Sequence, residues 1–322
     1  MRKALVVGIN NYYGIPLSGC INDAEDVERM LKRNGDGTTN FSVKKALDVN
    51  TKGELRGLIE ACFSGDADVA LFYFSGHGYI DAVGGNIVTP DYSKHDMGVS
   101  MHDVLSIVNT SKCKSKIVIL DCCHSGFLGT ISTAGQTAAI ISDGVTLLTA
   151  SKSDEPSLEI EGHGVFTSFL LSALSGGAAD VTGYITPGGI YAYIDKALGP
   201  WDQRPVFKTN VTRFSPLRKV VPQVNEEILR RMIMYFDKPD TELNLDPSYE
   251  PTNTPAVEHD VIEPHAIKAH VMVFSDLQKL EGVGLVVPCE VDHMYFAAMK
   301  SKSCKLTPAG KHYWRLVKEN II

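Results

Sequence analysis

The chain has 322 residues, 44% of them hydrophobic and 21% charged, with a formal net charge of −7. That length accommodates one large domain and a smaller one with a substantial core. The acidic balance removes the nonspecific phosphate attraction on which basic nucleic-acid binders rely, so nucleic acid is not an expected partner.

The opening stretch, MRKALVVGIN, carries an apolar run that stops at Asn10, too short for a signal peptide with its cleavage site or for a membrane span. The expectation is a cytoplasmic protein without a membrane partner. Short apolar runs rich in β-branched and aromatic residues, RKALVVGI at 2–9, DVALFYF at 68–74 and KIVIL at 116–120, predict strands buried on both faces. FSVKKAL at 41–47, GVTLLTA at 144–150 and RPVFKTN at 204–210 are further strand candidates. Helical patterns alternate with them: DAEDVERMLKRNG closing on Gly35, TKGELRGLIEACF with Thr51 and Glu54 at capping-box spacing, and segments at 101–109, 164–175 and 187–198. Strands alternating with helices predict an α/β fold with a mostly parallel sheet flanked by helices on both faces.

The first domain is expected over 1–218. After it, the polar, acidic segment 219–264, with prolines at 239, 247, 251 and 255, reads as a linker or irregular stretch. Periodicity returns over 265–322, a small carboxy-terminal module in which Trp314 is expected in the core.

Seven cysteines, at 20, 62, 113, 122, 123, 289 and 304, form no regular framework and no CxxC zinc pair, so reduced thiols are expected. In an open parallel sheet, reactive groups belong at the carboxyl ends of strands. FYFSGHGY puts His77 just after one strand, and VILDCCHSG puts Cys122 and Cys123 just after another. A thiol with a reference pKa near ~8.5 is mostly protonated at neutral pH, and an adjacent imidazole is the economical way to activate it.

Three segments, LSGCINDA at 17–24, SGHG at 75–78 and DCCHSG at 121–126, together resemble the caspase-fold cysteine peptidases, most of all the metacaspases and their prokaryotic relatives, over about residues 1–215. The resemblance implies a caspase-like fold and a His77/Cys123 dyad, with Gly78 and Cys123 supplying backbone oxyanion donors. Cys122 is expected to pack on the opposite face, and His124 to follow the nucleophile without acting as base; His95, His102 and His163 are expected at the surface. At the positions that set P1 preference the resemblance implies acids, Asp23 and Asp121, walled by Cys20 and Ser75. Two carboxylates suit a guanidinium or ammonium and imply protein substrates cut after Arg or Lys. As a plain structural element, Asp23 would be a helix N-terminal acid and Asp121 a strand-end turn residue.

Calcium-dependent metacaspases carry paired aspartates where this chain has GVSMHDVL at 98–105, so neither calcium nor another cofactor is expected, and no metal site. No Lys or Arg occurs from 124 to 151, so self-cleavage after a basic residue is not expected there. Residues 265–322 resemble a winged-helix module through SDLQKLEGVGLVV and LTPAGKHYWRLV, and an activating or inhibiting protein partner is expected through that module. The expected function is a regulated effector endopeptidase in a prokaryotic stress or defence pathway. The rival is a non-catalytic caspase-fold scaffold or signalling adaptor acting through the same module.

Overall fold

The apolar runs become the strands of one sheet, and the alternation of their side chains builds two cores, one on each face. The computed structural model describes residues 1–81, 84–122, 131–133, 136–138, 140–150, 159–160, 162–198, 204–256 and 261–322. The sheet consists of β1 (Arg2–Gly8), β2 (Ser42–Leu47), β3 (Val69–Ser75), β4 (Ser115–Asp121), β5 (Val145–Thr149) and β6 (Val206–Asn210). Its order is β6-β5-β4-β3-β1-β2, parallel throughout except for β6 against β5.

Leu5, Val7, Phe72, Phe74, Val118 and Leu120 point to one face, covered by α2 (Lys52–Phe63) and α3 (Met101–Thr110). Ala4, Val6, Leu71, Tyr73, Ile117 and Ile119 point to the other, covered by α1 (Cys20–Lys32), α4 (Val165–Ser172) and α5 (Pro187–Ala197). With both faces buried, a strand can be apolar along its whole length, which is why β3 reads as a continuous run. Thr51 caps α2 as its spacing predicts, accepting from the Glu54 amide at 3.2 Å. The sequence reading did not anticipate the three antiparallel strands Gly78–Ile80, Gly85–Ser93 and Asp96–Ser100 that follow β3, nor the small hairpin of Glu159–Ile160 with His163–Gly164. Two-residue strands leave no periodicity to read.

The chain moves outward from β1 to β2, returns past β1 to β3, and continues in the opposite direction through β4 to β5. The strand order therefore reverses between β1 and β3, the place where an open α/β sheet leaves a crevice at its carboxyl edge. Gly8 pairs with Ser75 and Ser75 with Asp121, so the ends of β1, β3 and β4 are in register there. Helix α1 begins beside this edge. Its N-cap residue, Gly19, has no side chain to satisfy the first amides, and Asn10, just beyond β1, does so instead: Oδ1 accepts from the Cys20 and Ile21 amides at 3.0 and 3.3 Å.

The chain divides into two units, Met1–Val221 and Pro222–Ile322. In the second, β7 (Glu242–Asn244), β8 (Val286–Pro288) and β9 (Ser303–Leu306) form an antiparallel sheet in the order β7-β9-β8. Helices α6 (Glu226–Tyr235), α7 (Lys268–Gly282), α8 (Met294–Met299) and α9 (Pro308–Lys318) accompany it. The expected linker over 219–264 is thus corrected, since α6 and β7 belong to this unit. Asn225 caps α6 through the Ile228 amide, and Ile228, Leu229 and Met232 bury one stripe. Arg231 grips Asp276 of α7 with two bonds of 2.7 and 3.1 Å, while the Trp314 indole donates to Phe236 O at 2.8 Å. The prolines misled because they wind a tight loop: buried Asn253 donates to the carbonyls of Pro247, Ile262 and Pro264. Among the described residues no helix is long and apolar enough to cross a membrane.

Close approach at the β1 edge yields a test. A Cβ on Gly8 would fall 2.2 Å from Cys20 O and 2.9 Å from the Ala24 Cβ, so α1 must move to admit it. Gly8→Ala is expected to lower stability by about 2 kcal/mol, the scale of overpacking a filled core. Urea unfolding checks this, and an unchanged midpoint would refute the contact.

Candidate active site

Two carboxylates are buried at the carboxyl edge. Asp23, on the first turn of α1, is 1% exposed, and Asp121, the last residue of β4, is 6% exposed. Ser75 Oγ donates to Asp23 Oδ2 at 2.8 Å and His163 Nδ1 lies 2.8 Å from Oδ1, while the Gly164 amide reaches both oxygens at 3.3 Å. Asp121 Oδ2 accepts from the Thr167 amide at 3.2 Å and from its hydroxyl at 2.6 Å. Thr167 gives its one hydroxyl proton to the carboxylate, so Tyr73, 2.6 Å from the same oxygen, is the donor in that pair. Burial holds the Tyr73 hydroxyl well above its ordinary pKa and keeps it a donor.

Gly164 and Thr167 are the N-cap and the third residue of α4. Gly164 has no side chain with which to cap the helix, and the two aspartates accept from amides of its first turn in its place. A Cβ on Gly164 would sit 2.5 Å from Asp121 Oδ2 and 3.3 Å from Asp23 Oδ2. A residue without a side chain is therefore required where the start of α4 packs against both acids. Burial raises the Asp23 pKa despite the bonds from His163, Ser75 and Gly164. Burial raises that of Asp121 to about 7, against the bonds from Thr167 and with the Asp23 charge adding to it.

His77 lies two residues past the end of β3, half-buried. Its Nε2 is 2.8 Å from the Ile15 carbonyl. A carbonyl only accepts, so Nε2 carries a hydrogen and donates it. The Tyr12 ring meets the imidazole edge-on with centroids 4.6 Å apart, and its hydroxyl accepts from the His77 amide at 3.1 Å and donates to Val88 O at 3.4 Å. The His77 carbonyl accepts from the Val88 amide at 3.0 Å. Backbone and ring are thus fixed from three directions.

The structure brings Asp23, Ser75 and Asp121 together as one cluster, with Cys20 opening the same helix turn three residues before Asp23. Gly78 starts the strand opposite Ile87. Cys122 is 1% exposed within the core beneath α2 and α3, on the face opposite Asp121. Cys123, named as nucleophile and oxyanion donor, and His124 lie outside the described residues. His163, expected at the surface, is corrected: it is bonded to Asp23. Sequence reasoning also missed Tyr12, the Ile15 carbonyl, Gly164 and Thr167; the SGHG and DCCHSG motifs locate strand ends but not the distant segments that pack on them. Asp103, the remaining acid of 98–105, has its amide bonded to Ser100 Oγ at 3.0 Å and lies 3.6 Å from Arg56. Among the described residues no group of three or more His, Cys, Asp or Glu side chains is placed to hold a metal ion.

Residues 1–207 match the family model of the caspase domain. No curated protein matches the chain. Among solved structures, a crystal structure of a Geobacter sulfurreducens protein aligns with a TM-score of 0.49 at 18% identity, covering 68% of this chain and 99% of that one. Caspase-1 from Spodoptera frugiperda aligns with a TM-score of 0.49 at 15% identity, covering 68% and 90%.

The Asp121 environment predicts how stability depends on pH. Its pKa is raised from 3.8 to about 7 on folding, so the folded state binds this proton more tightly than the unfolded state. The contribution is fully present below the unfolded value and is lost as pH rises through the folded one, in total on the order of 4 kcal/mol. Asp121→Asn keeps an acceptor for Thr167 but cannot ionise. Its melting temperature relative to wild type is expected to rise steadily from pH 4 to pH 8, and a difference independent of pH would contradict the assignment.

Proposed function

The chain belongs to the caspase-domain family of cysteine peptidases, and we propose that it cleaves protein substrates after arginine or lysine, with Cys123 as nucleophile, His77 as its base, and Asp23 and Asp121 receiving the P1 cation. The observation that carries this reading is the pair of buried carboxylates at the sheet edge from which His77 projects.

Ser75 and Asp121 are paired across β3 and β4, and His77 and Cys123 each follow two residues later in the chain. Nδ1 of His77 takes the thiol proton, and the thiolate adds to the substrate carbonyl carbon. The amides of Gly78 and Cys123 stabilise the oxyanion. Collapse of the tetrahedral species expels the amine, which takes its proton from Nδ1, leaving a thioester. Water then adds to the thioester with His77 again as base, releasing the acid and restoring the thiol.

The competing account of Asp23 and Asp121 is that they only cap α4. One acceptor satisfies most helix starts, and a capping carboxylate is ordinarily held below its usual pKa by the donors around it. Here burial outweighs the donors at both acids. Two buried carboxylates side by side are costly to ionise unless a cation compensates them, which supports a pocket over a cap. A scaffold without catalysis, in turn, has no need to keep both a histidine after one strand end and a cysteine after the next.

The deciding experiment is a set of fluorogenic peptides differing only at P1. Arg and Lys are expected to be cleaved at least about a hundredfold better than Asp or Leu, the scale on which repulsion and an unpaired buried charge discriminate. His77→Ala and Cys123→Ala should abolish turnover, Cys122→Ser should leave it within about threefold, and EDTA should have no effect. Equal turnover of Asp and Arg peptides would remove the proposed pocket. Activity in Cys123→Ala with none in Cys122→Ser would move the nucleophile by one residue.

A further inference from the structure

The proposed pocket contains a side chain that no motif announces. Asp23 Oδ1 has two donors, His163 Nδ1 at 2.8 Å and the Gly164 amide at 3.3 Å, and that amide is divided between both carboxylate oxygens. The shorter bond on this oxygen is therefore the imidazole's. Ser75 holds the other oxygen from the strand side at 2.8 Å.

His163 is itself fixed. It opens the second strand of the short hairpin of Glu159–Ile160 and His163–Gly164, whose turn is tied to α1 by Asn22 Nδ2 donating to Gly162 O at 3.1 Å. Asn22, Asp23 and Asp26 all meet residues 162–163, Asp26 Oδ2 lying 3.7 Å from His163 Nε2. That last separation exceeds hydrogen-bond reach, so the Nδ1 contact is the one that orients the carboxylate. With 24% of its side chain exposed, the imidazole reaches from the surface to an acid that is 1% exposed.

We propose that His163 is a positioning residue for substrate specificity: it fixes the orientation of the Asp23 carboxylate, one of the two acids proposed to receive a basic P1 side chain. It acts through Asp23 and touches no reacting atom. The inference rests on the pocket reading above. Losing the bond leaves Oδ1 with only the longer, shared contact from the Gly164 amide, which loosens the orientation of the carboxylate and weakens attraction for a cation without touching the dyad. The effect belongs in KM for basic substrates, while kcat stays near that of wild type.

Asn places an amide nitrogen close to the position of Nδ1, whereas Ala removes the donor, and the two variants separate orientation from bulk. Full-length wild type, His163→Asn and His163→Ala would be compared on Arg-P1 and Lys-P1 peptides, with melting temperature and the rate of thiol alkylation by iodoacetamide as measures of fold and dyad. The expected result is a KM raised about tenfold or more in His163→Ala, with kcat and alkylation within about threefold of wild type, and a KM near that of wild type in His163→Asn. Unchanged KM in His163→Ala, or equal loss in both variants, overturns the inference while the pocket reading stands. A wild-type enzyme without preference for basic P1 residues overturns both.

Discussion

Burying two carboxylates side by side is the constraint around which this edge of the molecule is organised. Each must be met by donors, and those donors come from β3, from the hairpin ending at Gly164 and from the first turn of α4. The arrangement is reciprocal: the helix lacks a capping side chain and the acids lack water, so each supplies what the other is missing. The Tyr73 hydroxyl extends the network into the core and anchors Thr167 from beneath. The balance still runs against the charged forms at both acids.

The half of the edge that carries His77 is built differently. Among the described residues no carboxylate is bonded to the imidazole; a main-chain oxygen is, and a buried tyrosine fixes the backbone. A main-chain acceptor orients the ring through Nε2. The buried acids of this edge lie instead at Asp23 and Asp121. On the proposed reading, attraction for substrate and proton transfer fall to separate groups set around the ends of β3 and β4.

The fold was legible because its signals are local. β3 and β4 are continuous runs ending in Ser75 and Asp121, and burial on both faces leaves no other reading for them. Thr51 and Glu54 marked the start of α2 for the same reason. His163, Gly164 and Thr167 were not legible as partners of the acids. His163 stands 140 positions from Asp23, on a hairpin of two-residue strands, and a lone histidine before a glycine carries no pattern. The segment 219–264 was misread because composition was taken as conformation. Its prolines and acids are those of a linker, yet Asn253 gathers three carbonyls into a loop that no residue count would suggest.

The Ile15 carbonyl has a consequence for how this site can vary. Any amino acid at position 15 presents the same oxygen, so the partner of His77 is specified by the path of the chain and not by a side chain. Pro16 restricts the residue before it to extended conformations and so fixes the direction of that oxygen, while the Asn10 carbonyl pins the loop by accepting from the Tyr12 and Leu17 amides at 3.1 and 3.0 Å. An inventory of side chains, or a scan that truncates them one at a time, would pass over position 15 as an exposed isoleucine. What descendants of this chain must inherit at that point is a bend, and its letters are free to drift.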